Sequence, residues 1–329
     1  MADQPRLKIA IADYGHTRAV KSGAVPIKGV DPDFVQVVPI IGAFRRMVRD
    51  LEFDICEMAP TTYMIARALG APYIALPIFL MRRFHHGGFV VRPDSGIKAP
   101  KDLEGKKVGV RAYSVTTGVW TRGIFVNEYG LDSSKVTWVV DDEEHVTSLK
   151  LPANVAHAPE GKSLQSMMKA GEIQAGFTGP AGVGRAGPPI SGWDKAGAAA
   201  AAADTYPELI ANVEQVETDW FRRSGIYPIH GLIVVKDDHI QRHPWLSGSL
   251  MDAFVAAKRP YVEELRAGRG GDAVEDKRYR NFLSLMSDPL PYGISANRPS
   301  IEALITYSLQ QKLIPSQPHL DQVFVEIDP

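Results

Sequence analysis

The chain has 329 residues, with 45% hydrophobic and 23% charged residues and a formal net charge of −1 at pH 7. This length exceeds what one compact core usually holds, so we expect a globular protein with two domains or lobes. The nearly balanced charge gives no overall field that would attract nucleic acid or an anionic membrane. The single cysteine, Cys56, excludes an internal disulfide and a multi-cysteine metal site.

The beginning of the chain has no basic head, apolar segment or small-residue cleavage site of a secretory signal peptide. Proline, glycine or charged residues interrupt every apolar run well before the roughly 20 residues that a membrane helix needs. The sequence therefore predicts a cytoplasmic protein without a membrane-spanning segment. Whether it forms a homo-oligomer stays open.

Strand-like apolar runs alternate with helical periods along most of the chain. Strands are predicted at 7–12, 34–39, 53–58, 73–80, 106–110, 136–140, 172–177 and 229–235. Helices are predicted at 43–50, 61–69, 115–129, 163–170, 245–265 and 300–313, the last capped by Ser300. Residues 180–203 are rich in glycine, proline and alanine, which indicates a loop with a short helix or a low-complexity spacer. This alternation predicts an α/β protein with mostly parallel sheets.

Two α/β series are joined by two extended crossings, near residues 88–93 and 227–235. We therefore expect one lobe from residues 1–90 and 230–329 and a second lobe from residues 91–229. In such an architecture the carboxyl ends of parallel strands and several helix N-termini open into a cleft between the lobes, which suits a small ligand. This is the two-lobed plan of periplasmic-type solute receptors.

Polar residues follow the carboxyl ends of two strands in the first lobe. Tyr14, His16 and Arg18 come after the first strand, where His16 and Arg18 suit an anion; a solvated Arg18 and a core Tyr14 are the alternatives. Glu57 ends the third strand and suits general acid or base chemistry if burial raises its pKa. Thr61 and Thr62 begin the next helix and are candidates for carboxylate binding or for simple N-capping.

The second lobe repeats this arrangement. Ser114, Thr116 and Thr117 surround a predicted helix start, and Tyr113 precedes it as a candidate for stacking on a ring. Gly179 ends the last strand of this lobe, where backbone can approach a ligand closely. His230 lies on the second crossing and is a candidate ligand group, although a lone histidine on a strand is more often structural.

The first crossing begins with Arg82-Arg-Phe-His-His86. Adjacent residues of an extended chain point to opposite faces, so one arginine and one of His85 and His86 should face the cleft. The same alternation argues against metal chelation by both histidines. The chain also has no zinc-type histidine spacing, no P-loop and no hydrolase nucleophile motif. We therefore expect neither a metal nor an organic cofactor.

Several longer motifs resemble a known family, 4,5-dihydroxyphthalate decarboxylase. They are Arg82-x-Phe84-x-His86, Tyr113-x-x-Thr116-x-x-Val119-Trp120, Arg223-x-Gly225-Ile226-x-Pro228-Ile229, Arg242-His-Pro-Trp245, Asp288-Pro-Leu-Pro-Tyr-Gly293 and Asn297-Arg-Pro299. The resemblance spans nearly the whole chain. It implies a type II, periplasmic-binding-protein-like fold and release of carbon dioxide from a hydroxylated aromatic acid or diacid. The chain departs from the family pattern at His16, His85, Ala112 and Gly231, which leaves the exact substrate open.

This reaction needs an acid near the ring carbon, a base or acceptor at the ring hydroxyl and an anchor for the remaining carboxylate, which gives a hypothesis for individual residues. His86 would protonate the ring carbon, Glu57 would interact with the ring hydroxyl, and Arg82 with the helix starts at Thr61 and Thr116 would bind the remaining carboxylate. Two alternatives stay open. One is a protein that binds a small carboxylate without turnover, as a receptor component or a sensor; the other is a metal-assisted lyase that uses His16, a histidine of the pair and a carboxylate.

Overall fold

The computed structural model describes residues 4–184, 206–269, 271 and 273–329. The chain divides into two compact units. Unit 1 contains Met1–Arg83, Ile229–Glu302 and Pro318–Pro329, and unit 2 contains Phe84–Pro228 and Ala303–Gln317. No described helix has the length and hydropathy of a membrane-spanning segment.

The secondary-structure elements follow one another in an α/β pattern. The strands are β1 Arg6–Ala10, β2 Asp31–Phe34, β3 Ile55–Met58, β4 Tyr73–Arg82, β5 Phe89–Val91, β6 Lys107–Gly109, β7 Thr137–Val140, β8 Val155–His157, β9 Ala175–Phe177 and β10 Ile229–Lys236. The α-helices are α1 Arg18–Lys21, α2 Ile41–Asp50, α3 Pro60–Ala68, α4 Thr116–Tyr129, α5 Leu164–Ala170, α6 Val213–Ser224, α7 Asp237–Arg242, α8 Leu246–Arg266, α9 Val274–Phe282, α10 Arg298–Gln310 and α11 Leu320–Val323.

Unit 1 is built on a mixed sheet with the strand order β2-β1-β3-β10-β4. β1 pairs in parallel with β2 and β3, whereas β10 runs antiparallel between β3 and β4. The strands β3, β4 and β10 are largely apolar because the core lies against them; Ile233 of β10 belongs to the same core cluster as Leu250 and Phe254 of α8. The carboxyl ends of β1 and β3 lie side by side, which brings the residues that follow them together.

Unit 2 contains the sheet β5-β9-β6-β7-β8, in which only β5 runs antiparallel to its neighbour among the described strands. β5 lies within the extended crossing predicted at 88–93, whereas the three-residue strand β8 was not predicted. Residues 84–90 and 303–317 belong to unit 2, although the sequence placed them in the first lobe. For residues 303–317 the reason is packing within unit 2. Tyr307 of α10 meets Trp120 of α4 edge to face, with 5.6 Å between the ring centroids.

Two local predictions were wrong and one lies mostly outside the described residues. The strand predicted at 34–39 ends at Phe34, because its pairing with β1 uses the preceding residues and the chain then leaves the sheet, with Val38 75% exposed. Ser300 does not cap α10, because this helix begins two residues earlier at Arg298. The predicted loop and helix at 180–203 fall largely on residues 185–205, outside the described part.

Candidate active site

A buried carboxyl group lies where β1 and β3 end in unit 1. Glu57 is 1% exposed, and its two oxygens accept hydrogen bonds from the backbone N–H of Ala12 at 3.0 Å and from the Tyr14 hydroxyl at 2.7 Å. The chain after β1 turns sharply here, because the Thr17 hydroxyl donates to the Ala12 carbonyl at 2.9 Å and the Thr17 N–H donates to the Tyr14 carbonyl at 3.1 Å. This turn directs Tyr14 toward Glu57.

The surroundings of Glu57 set its proton affinity. Burial raises the pKa of Glu57 to about 7, against the smaller opposing effects of its two hydrogen bonds and of the Lys21 charge. A carboxyl group with this pKa exchanges a proton near neutrality, which ordinary carboxyl groups do not. The structure thus meets the condition under which the sequence assigned acid or base chemistry to Glu57.

His16 and Arg18 lie on the wall of a cavity in unit 1. The cavity has a volume of about 450 Å³, and its lining includes Tyr14 and Tyr261. The His16 ring stacks parallel to the Tyr14 ring at a centroid distance of 5.2 Å and is tilted against Tyr261 at 5.6 Å. Burial lowers the pKa of His16 to about 3, with a further decrease from the Lys258 charge and an opposing effect of the Leu80 backbone. His16 is therefore neutral at pH 7 and does not attract an anion by charge.

Arg82 is buried at the end of β4 and is oriented by the side chains of Asn297 and Ser300. Its guanidinium donates to the Asn297 amide oxygen and, at 3.3 Å, to the Ser300 hydroxyl. The Asn297 amide nitrogen donates in turn to the carbonyls of Pro291 at 3.0 Å and Gly293 at 2.7 Å. The segments 288–293 and 297–299, which carry the sequence resemblance, therefore form the support of Arg82.

The other predicted residues of unit 1 lie in ordered positions. Thr61 and Thr62 are buried in the first turn of α3, whose N-cap Ala59 offers no side-chain acceptor. The Nε2 atom of His230 lies 3.1 Å from an Nη atom of Arg83. Because a guanidinium only donates, a hydrogen bond between these atoms requires Nε2 to be the acceptor.

His85 and His86 are both buried in unit 2, at 2% and 1% exposure. His85 stacks in parallel on Trp120 with 6.4 Å between centroids, and His86 meets the edge of Trp220 at 4.9 Å. Burial lowers the pKa of His86 to about 4, with Glu128 raising it and Arg223 lowering it. A His86 with this pKa holds no extra proton at pH 7, which argues against its predicted role as the general acid.

The predicted helix start in unit 2 already holds a carboxylate of the chain itself. Glu144 accepts hydrogen bonds from the N–H groups of Tyr113 at 2.6 Å and Ser114 at 3.1 Å, and also from the Ser114 hydroxyl. Arg122 lies 4.1 Å from the centre of the Tyr113 ring and donates to the Tyr113 carbonyl. Ser114, one of the residues that the sequence predicted at an acidic ligand, is thus engaged by Glu144.

Thr116 and Thr117 begin α4, and Thr116 is buried. Gly179 follows β9 with a φ of +57°, a backbone conformation that favours glycine. The structure therefore brings together Tyr14, His16 and Glu57 within unit 1, and Tyr113 and Ser114 within unit 2. No group of three or more potential metal ligands occurs in the described ranges.

Sequence reasoning did not identify Asn297, Glu144 or Tyr261 as parts of these sites. Asn297 lies in the motif Asn297-Arg-Pro299, so its place in that motif could have indicated a role in the site. Glu144 is separated by 30 residues from the Ser114 that it contacts, and Tyr261 lies on a helix far along the chain from His16. Nothing in local sequence pattern connects such pairs.

Comparison with known proteins identifies relatives along most of the chain. A family model described as "ABC transporter, phosphonate, periplasmic substrate-binding protein" matches residues 29–186. A 4,5-dihydroxyphthalate decarboxylase of Comamonas testosteroni is 34% identical over 308 residues, covering 89% of this chain and 88% of that protein. The protein of the same name from Pseudomonas putida is 40% identical over 177 residues, covering 51% of this chain and 68% of its own.

Solved structures of similar fold are much more distant in sequence. The alkanesulfonate-binding protein SsuA from Xanthomonas axonopodis pv. citri, bound to MOPS, has a TM-score of 0.50 and 11% identity over 99% of this chain and 100% of its own. The desulfurization enzyme DSZB has a TM-score of 0.50 and 15% identity over 98% of this chain and 96% of its own. These similarities show the fold, that of the periplasmic-type binding proteins, and not the activity. The sequence relatives go further, and by their identity and coverage the chain belongs to the 4,5-dihydroxyphthalate decarboxylase family.

Proposed function

We propose that this protein is a carboxy-lyase that removes carbon dioxide from a hydroxylated aromatic carboxylic acid, with Glu57 as the proton donor to the ring carbon. The bond between the ring and the carboxylate breaks, its electron pair stays on the ring carbon, and a proton forms the new C–H bond. A ring hydroxyl that is partly deprotonated increases electron density at that carbon. The reaction therefore needs a proton donor that works near neutral pH and an anchor for the substrate.

The observation that carries the assignment of Glu57 is its buried carboxyl group with a pKa of about 7. At pH 7 about half of the Glu57 groups hold a proton, so the group can donate it and regain it. His86, with a pKa of about 4, is almost entirely neutral at that pH and is a poor donor. We therefore assign the donor role to Glu57 and propose His86 only as a neutral hydrogen-bonding group.

Arg82 is proposed as the anchor for a carboxylate of the substrate. A guanidinium matches a carboxylate in geometry and stays charged at all relevant pH values. Its contacts with Asn297 and Ser300 leave the planar group in a defined orientation, which lowers the entropy cost of binding. The substrate-binding residues predicted in unit 2 stay predictions.

The test is carbon dioxide release from 4,5-dihydroxyphthalate and a panel of hydroxylated aromatic mono- and diacids, measured together with the thermal shift of the protein. The Glu57→Gln variant should bind the substrate with a normal thermal shift but lose turnover by at least 100-fold. Glu263→Gln on the exposed face of α8 is the matched control for loss of one carboxylate in unit 1.

Two outcomes would contradict the proposal. A thermal shift with an acid that is recovered unchanged from wild-type protein would favour the non-catalytic binder. Carbon dioxide release by Glu57→Gln at the wild-type rate would remove Glu57 from the chemistry and return the donor role to another group.

A further inference from the structure

Decarboxylation by this route consumes one proton in every turnover. A ring carboxylate and one proton give a ring C–H bond and carbon dioxide, so the donor is left ionised at the end of each cycle. Glu57 is 1% exposed and does not line the 450 Å³ cavity of unit 1. A proton must therefore reach a buried carboxylate from water before the next substrate can react.

The hydrogen bonds of Glu57 indicate a route. One oxygen accepts from the Ala12 backbone N–H at 3.0 Å, and an amide N–H does not exchange its proton rapidly enough to serve as a donor. The other oxygen accepts from the Tyr14 hydroxyl at 2.7 Å. A phenol can give up one proton while its oxygen accepts another, so it can pass a proton along without a stable charge. Tyr14 is thus the group through which Glu57 can be recharged.

Tyr14 is also the link between Glu57 and the cavity. It is half-buried and forms part of the cavity wall, whereas Glu57 does not. The cavity has many times the volume of one water molecule, and its wall is polar enough to hold several. Tyr14 is therefore the residue that both hydrogen-bonds the carboxylate and lines the space that water in this cavity would occupy.

The charge of the cavity wall suits the collection of protons. Among the described residues of its lining are four carboxyl groups, Asp13, Glu264, Glu275 and Asp276, and one cation, Arg18. Asp13 is paired with Lys21 at 2.5 Å, and Asp276 accepts a hydrogen bond from Tyr261. The surplus of negative charge raises the local concentration of cations, including hydronium, and disfavours an anionic aromatic acid. The cavity is accordingly better suited to proton uptake than to substrate binding.

We propose that Tyr14 relays protons from the water of this cavity to Glu57 after each turnover. In the relay step the Tyr14 O–H bond breaks as its proton moves to the Glu57 oxygen, and the phenol oxygen accepts a proton from a cavity water. That water is reprotonated from solvent. Tyr14 acts through Glu57 and need not touch the reacting ring, and the inference rests on the proposed role of Glu57.

The test is a pre-steady-state measurement of carbon dioxide release by Tyr14→Phe, which keeps the ring and removes the hydroxyl. Protein equilibrated at pH 6.5 should release one equivalent per chain at nearly the wild-type rate and then turn over at least 10-fold more slowly. The slow phase should show an increased solvent deuterium isotope effect. Added imidazole, a small proton carrier with a pKa near 7, should restore at least part of the steady-state rate.

A matched control is Tyr63→Phe, which removes another buried hydroxyl of unit 1, one that bonds the backbone of Val323 and Ala75. It should show neither the burst nor the imidazole effect. If Tyr14→Phe slows the first and later turnovers equally and imidazole has no effect, Tyr14 is only a structural partner of Glu57 and the relay is wrong. A wrong assignment of Glu57 as the proton donor gives a different result from a wrong relay. In that case Glu57→Gln would retain its turnover, whatever the behaviour of Tyr14→Phe.

Discussion

The amide of Asn297 is held by two backbone carbonyls so that its oxygen faces the guanidinium of Arg82. The amide nitrogen bonds Pro291 at 3.0 Å and Gly293 at 2.7 Å, and exchange of the amide oxygen and nitrogen would lose both bonds. Asn297 therefore orients an arginine that lies 215 residues earlier in the sequence. This relationship gives a structural role to the two motifs at 288–293 and 297–299.

If Arg82 anchors the substrate, Asn297→Ala should raise KM by about 10-fold, or about 1.4 kcal/mol, and change kcat less. Asn297→Asp should raise KM further, because its carboxylate competes with that of the substrate for Arg82. Steady-state kinetics measure both effects. The control is Ser295→Ala in the same segment as Asn297. It removes a hydroxyl that donates to Asp328 at 2.5 Å. An unchanged KM in both Asn297 variants would contradict the anchoring role of Arg82.

Glu57 should make the stability of the protein depend on pH in a specific direction. Its pKa is about 7 in the folded protein and near 4.5 when unfolded, so between these values only the folded state holds the proton. Its contribution to the free energy of unfolding is therefore complete below pH 4.5 and lost as the pH rises through 7. Between pH 4 and pH 8 the free energy of unfolding of Glu57→Gln should therefore increase by about 3 kcal/mol relative to that of the wild type.

Denaturant unfolding of both proteins at several pH values measures that difference. Its slope with pH, rather than its absolute value, is the relevant quantity, because glutamine also changes the hydrogen bonds to Ala12 and Tyr14. A difference that stays constant from pH 4 to pH 8 would show that Glu57 titrates as an ordinary carboxyl group.

His16 and His86 should both remain neutral from pH 5 to pH 8, because burial lowers the pKa of His16 to about 3 and that of His86 to about 4. Imidazole signals in NMR spectra, assigned with His16→Gln and His86→Gln, measure their protonation. Both should titrate near 6.5 in the denatured chain. A His86 that titrates near neutral pH in the folded protein would restore it as a candidate general acid.

Glu144 should stabilise unit 2 through its hydrogen bonds to Tyr113 and Ser114. Glu144→Ala leaves these donors without their present acceptor and should lower the free energy of unfolding by about 1–3 kcal/mol. Glu144→Gln keeps one acceptor oxygen and should cost less. Thermal denaturation compares them with Glu143→Ala, an exposed neighbour. Equal stability of Glu144→Ala and Glu143→Ala would show that the contact contributes little.

Local sequence was sufficient to predict much of the secondary structure and the family. Apolar periodicity located β4 and α8 closely, and Gly130 ends α4 in the left-handed conformation that a glycine after a helix commonly adopts. Prediction from local sequence failed where contacts with distant residues decide the end of a strand or helix. β2 stops at Phe34 although apolar residues follow, because its register with β1 ends at the pair Ile9–Phe34 and the chain then leaves the sheet. Ser300 lies inside α10, where its hydroxyl accepts a hydrogen bond from Arg82 instead of capping the helix.

Sequence by itself determined the residue types of the site, the end of the strand on which each one lies, and the family to which the chain belongs. Tertiary structure decided their proton affinities and their partners. A pKa depends on burial and on neighbouring charges, so the pKa of Glu57 rises to about 7 and that of His86 falls to about 4 only in the folded chain. The contacts of Tyr14 with Glu57 and of Asn297 with Arg82 likewise join residues 43 and 215 positions apart, a distance over which no local pattern operates.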